Sequence, residues 1–458
     1  MILREGLTAG QANTLLLLEG FVSVSLQMIA LRQIVPFVGS SVPVTSIVIT
    51  GFLVALALGY RAGGRRSGGL IKRLERNLLI VAGLIGLALS YVVAGLLFET
   101  AFHLVRYPLI AVTLYVVLLL MPIVYLLSET VVLLVHFKQG SHAAQQAGDT
   151  FTLSTWGNVA GGLITTLVIM YFFGIGWAVL INTAAILLAF MMLPSARRVR
   201  KSFSAVSILL LALVVNVGFE QYSFIATTAY ANYRTVEMSD GSHILDINNS
   251  NASRAAENGE GHPYIEYFEA LLLDGDSALR PESILVLGAG GFTFGRGRDI
   301  GNTRITYVDV DATLEEVALE LPAINDVNGQ FVVADARAHL LATNATYDAI
   351  LVDTFSHATS VPAHLLTVEF FELVRERLSP NGSLMINIIA EKGQPSRFRR
   401  GFDNTLRSVF ADCQQHEISR ALISVSNVLY TCTRSDMDEY QIVYSDQNTR
   451  GSIDSAVR

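Results

Sequence analysis

This 458-residue chain is poor in cysteine, in tryptophan and in charge, with two cysteines, two tryptophans and 16% charged residues. Two cysteines build no disulfide framework, and their spacing fits no zinc site. Cys413 and Cys432 therefore read as two unrelated thiols, although the segments around them are candidates for neighbouring strands. The histidines His243, His262, His339, His357 and His364 of the second half show no metal-ligand spacing, so no metal is expected. A cleavable signal is also missing: the first apolar run is too long and no small-residue site follows it. No glycine-rich turn runs into Gly-Lys-Ser/Thr, which excludes a polyphosphate-cradling loop.

Charge is scarce in different ways along the chain. Residues 1–219 hold 14 Lys/Arg against 6 Asp/Glu, a net of +8, whereas residues 220–458 hold 18 against 33, a net of −15. The long apolar runs lie in the first part, which places a firm boundary near Glu220. A hydrocarbon core about 30 Å thick needs about 20 apolar residues per helix. Seven candidate spans follow, near 12–35, 43–60, 77–98, 107–130, 150–173, 176–193 and 203–219. The apolar stretch from Phe102 to Phe137, with Pro108 and Pro122 inside, is long for one span and short for two, so eight is the alternative.

Two loops are strongly basic, one with Arg61, Arg65, Arg66, Lys72, Arg73 and Arg76, the other with Arg197, Arg198, Arg200 and Lys201. Positive loops stay cytoplasmic. Seven spans put the amino terminus inside and the second half outside, which conflicts with a cytoplasmic nucleotide-type ligand; the sequence leaves the side open. Glu19, Gln27, Arg32, Glu129, Asn158 and Asn182 fall inside the spans. Such residues either serve function or, for the amides, cross-link helices. Gly157-Asn-Val-Ala-Gly-Gly162 offers small residues for close helix packing.

After Phe219 the pattern changes. Period-two segments at 232–238 and 243–248 flank Ser239-Asp240-Gly241 and predict a β-hairpin. Strands are expected near 284–288, 305–310, 331–334, 348–353 and 383–389, with helices near 312–321, 366–379 and 396–410. That alternation predicts an α/β doubly wound, Rossmann-like parallel sheet. Segments 413–418 and 427–433 suit an antiparallel edge. The expected division is a helical multi-pass membrane domain at 1–219, a β-hairpin subdomain and linker at 220–280, and a nucleoside-binding domain at 281–458.

Ligands of open α/β sheets lie beyond the carboxyl ends of the strands. There Gly288, Gly290 and Gly291 form a turn that lets backbone approach a ligand. Asp309 ends the second strand, Asp335 follows the third and Asp353 ends the fourth. Singly each is weak, since a strand-end Asp often caps the next helix. Together they predict a site for a nucleoside without a polyphosphate.

The arrangement resembles the spermidine synthase family of aminopropyltransferases, which share the class I methyltransferase fold. The resemblance covers about 232–433, and the whole chain resembles bacterial membrane-fused spermidine synthase-like proteins. Leu245-Asp-Ile-Asn248 resembles the family's L-x-L-D-G hairpin, and His262-Pro-Tyr-Ile-Glu266 its Y-H-E segment. Leu287-Gly-Ala-Gly-Gly-Phe292 is similar to G-G-G-D-G-G, Asp309-Val-Asp311 to E-I-D, and Asp353-Thr-Phe-Ser-His357 stands in place of D-S-S-D-P.

The resemblance implies roles. Asp309 would bind the ribose and Asp335 face the adenine amino group; Asp353 would take a proton from the attacking amine and Tyr264 orient it. It implies decarboxylated S-adenosylmethionine as co-substrate, a small amine as acceptor and no metal. The expected partners are that amine and the lipid bilayer of the cell (inner) membrane, with a homodimer as candidate assembly and no nucleic acid. Two family acids are absent: Gly291 replaces one and Ser356 the other. Both hold the amine in the family; His357, Glu266 and Glu369 are the candidates to compensate, and Ser356, His357 and Glu266 the candidate substrate-binding residues. The alternatives are a methyltransferase-like enzyme using S-adenosylmethionine itself, or a non-enzymatic polyamine or nucleoside sensor or transporter.

Overall fold

The computed structural model describes residues 7–66, 68–105, 107–138, 143–194, 198–256, 260–274, 280–321, 328–354, 361–391, 395–410, 412–419, 425–433 and 444–446. The chain divides into a helical unit (1–34, 43–223 and 227–229) and a second unit holding most of the rest, including 230–458.

Five helices of the first unit are long and apolar enough to cross a membrane: α1 (Ala9–Val38), α2 (Val42–Gly64), α5 (Pro108–His136), α6 (Gln145–Met192) and α7 (Val199–Ser223). The pair α3 (Leu70–Ala88) and α4 (Tyr91–Val105), bent by 67°, makes six if counted as one span. The expected span at 77–98 therefore straddles a break, where Ser90 turns back with its Oγ on the Leu87 carbonyl (2.6 Å). Helix α6 has 48 residues, about 72 Å at 1.5 Å per residue, more than twice the hydrocarbon thickness. Gly174, at φ 84° and ψ −176°, interrupts it between the two stretches expected there.

Helices α1 and α6 meet through small residues. A Cβ at Gly157 or Gly161 would strike the backbone of Leu17 or Phe21, the close approach that small residues permit. Several buried polar groups of this unit are paired, whereas Asn158 Oδ1, Thr166 Oγ1 and Asn182 Oδ1 have no hydrogen-bond partner among the described residues. Ser154 Oγ donates to Glu19 Oε2 (3.0 Å), while Glu129 accepts from Arg73 Nε (2.7 Å) and Asn77 Nδ2 (2.8 Å). Arg32 gives Nε and Nη2 to the Thr228 carbonyl (3.0 and 2.8 Å). Asn182, expected to cross-link helices, bonds instead to Ala178 O of its own helix (2.8 Å). Amides that do bridge helices, among them Asn77, Asn216, Gln33 and Gln11, were not singled out by the sequence.

In the second unit, β1 (Asn232–Glu237), β2 (His243–Ile247) and β3 (Ser250–Ala255) pair antiparallel in that order. The first two are the expected hairpin; β3 is an addition. Helix α8 (Pro263–Leu272) follows, opened by Pro263 in its first turn, where the missing N–H costs nothing.

The large sheet contains β4 (Ser283–Leu287), β5 (Arg304–Asp309), β6 (Gln330–Val333), β7 (Tyr347–Val352), β8 (Leu378–Glu391), β9 (Asp412–Ser419) and β10 (Val425–Thr433). Their order is β9-β10-β8-β7-β4-β5-β6. The five strands β4 to β8 run parallel, and β10 joins β8 antiparallel. This is a Rossmann-like, methyltransferase-type sheet whose order reverses between β4 and β7, where doubly wound sheets bind ligands.

Side chains alternate across it. Leu285, Leu287, Ile350, Leu384 and Ile386 pack with Phe370, Phe371, Phe398 and Phe402 on one face. Ile284, Val286, Ala349, Leu351 and Met385 pack with Tyr264, Phe268, Leu314 and Val317 on the other. The helices supplying those partners are α9 (Leu314–Leu319), α11 (Val368–Arg377) and α12 (Arg397–Arg407), besides α8. A further helix, α10 (Ala336–Ala342), lies between β6 and β7 in the chain. Both α8 and α10 escaped the sequence reading.

The two cysteines are not unrelated thiols. Cys413 of β9 faces Cys432 of β10 in register, and the two form a disulfide. Sequence placed both on neighbouring strands but held no register, which alone brings the sulfurs together.

Candidate active site

The glycine turn begins where β4 stops. Gly288 takes φ 92°, and a Cβ there would strike the Asp353 carbonyl. Only glycine suits that backbone at that distance. The turn is tied to its neighbours: Gly288 N–H donates to Val308 O, Asp353 N–H to Leu287 O (both 2.9 Å), and Ala334 N–H to Asp309 O (2.8 Å). The ends of β4, β5, β6 and β7 are thereby held side by side.

Asp309 reaches back to the turn. Its Oδ2 accepts from Ala289 N–H (3.1 Å) and its Oδ1 from Asp311 N–H (3.2 Å). Burial pushes its carboxyl up to about 6, against the lowering effect of those backbone donors and with a further upward push from Asp311. Asp311 is itself buried and accepts from Tyr233 Oη of β1 (2.6 Å). Ser253 Oγ of β3 accepts from Gly291 N–H (2.8 Å). The small β-sheet is thus bolted to the glycine turn and to the end of β5.

Asp353 is held from two sides. Tyr264 Oη, on α8, donates to its Oδ2 (2.7 Å), and Asn387 Nδ2, on β8, donates to its Oδ1 (2.9 Å). Asn427 Nδ2, on β10, donates in turn to Asn387 Oδ1 (2.8 Å). Both asparagines are buried. These two donors, Tyr264 Oη and Asn387 Nδ2, fix the carboxylate's rotamer.

Asn387 and Asn427 were missed by sequence reasoning. The signal was available: each interrupts an apolar strand (Leu384-Met-Ile-Asn-Ile-Ile389 and Val425-Ser-Asn-Val-Leu-Tyr430), and a buried amide needs a partner.

The remaining candidates are placed as follows. Asp335 caps α10, accepting from Ala338 N–H (3.0 Å), and meets His364 Nε2 at 2.9 Å. Partial burial works against its ionisation, but that N–H and the imidazole outweigh it and hold the carboxyl below its usual range. Glu266 lies in the first turn of α8, two residues past Tyr264. Glu369 Oε2 accepts from Asp446 N–H (3.1 Å). Ser356 and His357 lie outside the described residues.

Gly291 has a physical reason to lack a side chain. A Cβ there would sit 2.9 Å from both Leu321 Cδ1 and Ser253 Cβ. Gly291→Ala is expected to destabilise the protein by about 1–3 kcal/mol through overpacking. Thermal unfolding of the full chain in detergent checks this; an unchanged midpoint would mean the neighbours yield freely.

No family model matches the chain. A "Probable polyamine aminopropyl transferase" of Bifidobacterium longum is 32% identical over 152 residues, 32% of this chain and 33% of that protein. Polyamine aminopropyltransferase 2 of Pseudomonas aeruginosa is 26% identical over 194 residues, 40% of this chain and 52% of its own. The chain is similar to polyamine aminopropyltransferases. It spans only a third to about half of those relatives' length. Among solved structures, a probable spermidine synthase from Corynebacterium glutamicum matches with 21% identity and a TM-score of 0.38, over 46% of this chain and 79% of that one. These relatives are named for the chemistry the spermidine synthase-like resemblance implied.

Proposed function

We propose that the chain is a membrane-bound, spermidine synthase-like aminopropyltransferase that moves an aminopropyl group from decarboxylated S-adenosylmethionine to an amine and releases methylthioadenosine. The observation that carries this reading is the Asp353 carboxylate, held by Tyr264 and Asn387 beside a glycine turn that opens on Asp309.

The cradle at Gly288, where a Cβ has no room, suits a nucleoside laid close to backbone. Asp309 would receive the ribose hydroxyls and Asp335 the adenine amino group, in exchange for its present His364 partner. The donor supplies a carbon made electrophilic by its sulfonium. The acceptor arrives as an ammonium, whose pKa near 10 leaves little free amine at neutral pH. Asp353 takes one proton, the nitrogen lone pair attacks the carbon, the C–N bond forms and the C–S bond breaks. Methylthioadenosine leaves neutral, since the sulfur regains its electron pair, and the positive charge ends on the product amine. The five to six apolar helices support placement in the cell membrane.

Incubating the detergent-purified full chain with decarboxylated S-adenosylmethionine and a panel of amines tests this directly. Release of methylthioadenosine is expected; S-adenosylhomocysteine release from S-adenosylmethionine instead would replace aminopropyl by methyl transfer, and binding without turnover would leave a sensor.

Nucleoside affinity should also depend on pH. Asp309 titrates near 6 in the unliganded protein, and its ionised form is the better acceptor for two hydroxyls. Below that point binding must first remove a proton, so affinity is expected to fall toward about tenfold per pH unit. Methylthioadenosine titrations at pH 7.5, 6 and 5 follow this slope, with Asp309→Asn as the flat control. A wild type equally flat would remove Asp309 from the binding site.

A further inference from the structure

We infer that the second unit works on the side of the membrane opposite the cytoplasm. The inference rests on the membrane placement proposed above and on two independent observations: the direction in which the helices of the first unit run, and the Cys413–Cys432 disulfide.

Contacts within the helical unit sort its helix ends into two faces. On one face, Arg73 near the start of α3 pairs with Glu129 near the end of α5 (2.7 Å), and Arg66, just past α2, lies 3.5 Å from the same carboxylate. Lys201 at the start of α7 pairs with Glu75 of α3 (3.3 Å) and donates to Leu193 O, just past the end of α6 (2.8 Å). Gln11, at the start of α1, donates to Met192 O (3.0 Å). This face therefore gathers the starts of α1, α3 and α7 and the ends of α2, α5 and α6.

On the other face, Gln33 near the end of α1 donates to Leu89 O, just past α3 (2.6 Å), and accepts from Tyr115 of α5 (2.7 Å). Asn216 near the end of α7 donates to Gly86 O (2.8 Å). Glu220 accepts from the N–H of Gly176, beside the Gly174 break. The break in α6 thus lies at this second face while its end lies at the first. The two stretches of α6 are separate crossings, out and back. With α4 bent away from α3, the crossings number seven, and α7 runs from Lys201 at the first face to Glu220 at the second. The chain leaves the bundle from the second face.

The first face carries Arg61, Arg65, Arg66, Lys72, Arg73, Arg76, Arg200 and Lys201; the second carries Arg32 alone among the described residues. Adding Arg106 by sequence leaves the bias unchanged. Lysine and arginine mark the cytoplasmic side, so the second face is the outer one. The disulfide, in a different part of the chain, agrees: such bonds persist in oxidising compartments and are rare in reducing ones. An amine outside the cell then reaches Asp353 without crossing the bilayer, whereas a nucleoside donor made in the cytoplasm has to be delivered.

The test adds one cysteine at a time to the full chain, whose own two are bridged. Lys72→Cys lies on the basic face and Glu316→Cys is exposed on α9, away from the site. Intact cells are treated with a membrane-impermeant maleimide, then permeabilised and treated again. We expect Glu316→Cys to react in intact cells and Lys72→Cys only after permeabilisation. The reverse pattern would overturn the inference and keep the membrane reading. Equal reaction at both positions, with the protein washed from membranes by alkaline carbonate, would overturn the membrane reading itself. The unsubstituted chain, denatured in detergent so that burial of Cys413 and Cys432 no longer protects them, is expected to resist maleimide until a reductant is added; reaction without one would remove the disulfide argument.

Discussion

Asp353→Asn is expected to lower methylthioadenosine release by about 10²- to 10⁴-fold, the usual range for losing a positioned general base, with little change in nucleoside affinity. The substitution keeps the shape of the site. An amide can turn its oxygen to Asn387 Nδ2 and its nitrogen to Tyr264 Oη, so both contacts that hold Asp353 survive. What disappears is the negative charge and the capacity to take a proton from the ammonium. The loss should therefore appear in turnover, with the methylthioadenosine dissociation constant as the control for folding. Raising the pH delivers more of the amine already deprotonated, so part of the deficit should return toward pH 9–10, near the free amine's pKa. Asn387→Leu in the same assay should give a smaller loss with a similar control, because it frees the carboxylate's rotamer without removing its charge. Turnover that survives Asp353→Asn would move the base elsewhere, and the reading of this site with it.

Much of the second unit was legible in the sequence because its physics is periodic. Strands buried on both faces read as short apolar runs, and each expected strand of the parallel sheet lies within a few residues of the observed one. Strand ends were legible for the same reason, so Gly288, Asp309 and Asp353 were found at the point where the strand order reverses. What sequence lacked was register and partners. It could not pair Asn427 with Asn387 across two antiparallel strands, nor Cys413 with Cys432. It placed Asp335 correctly beyond β6 but gave no sign of His364, 29 residues away, as its partner. In the first unit hydropathy found the apolar stretches and separated the two on either side of Gly174, but it missed the break between α3 and α4. Ser90 interrupts the helices inside one apolar window, where mean hydropathy carries no information about backbone direction.

Reduction of the Cys413–Cys432 bridge, or replacement of both cysteines by serine, is expected to destabilise the second unit by about 3 kcal/mol, the loop-closure value for a separation of 19 residues. For a unit of this size that corresponds to a fall of about 6–12 °C in its unfolding midpoint. The position makes the bridge matter. Strand β9 lies at the sheet's edge and pairs only with β10; most of its side chains are exposed, so little apolar burial holds it there. Cys413 and Cys432 are both buried, and breaking their bond leaves β9 held by its ladder to β10, the stacking of His416 on Tyr267 and the packing of Ile418. Thermal scans of the full chain with and without reductant measure the effect, and the double serine variant should no longer respond to reductant. A wild type whose midpoint ignores reductant would show that the bridge contributes nothing to stability. Strand β10 also carries Asn427, the far end of the donor chain that fixes Asp353. Loosening it should slow turnover more than it weakens nucleoside binding, because Asp309 and the glycine turn sit on strands the bridge does not touch. Equal losses in both would confine the bridge's role to folding.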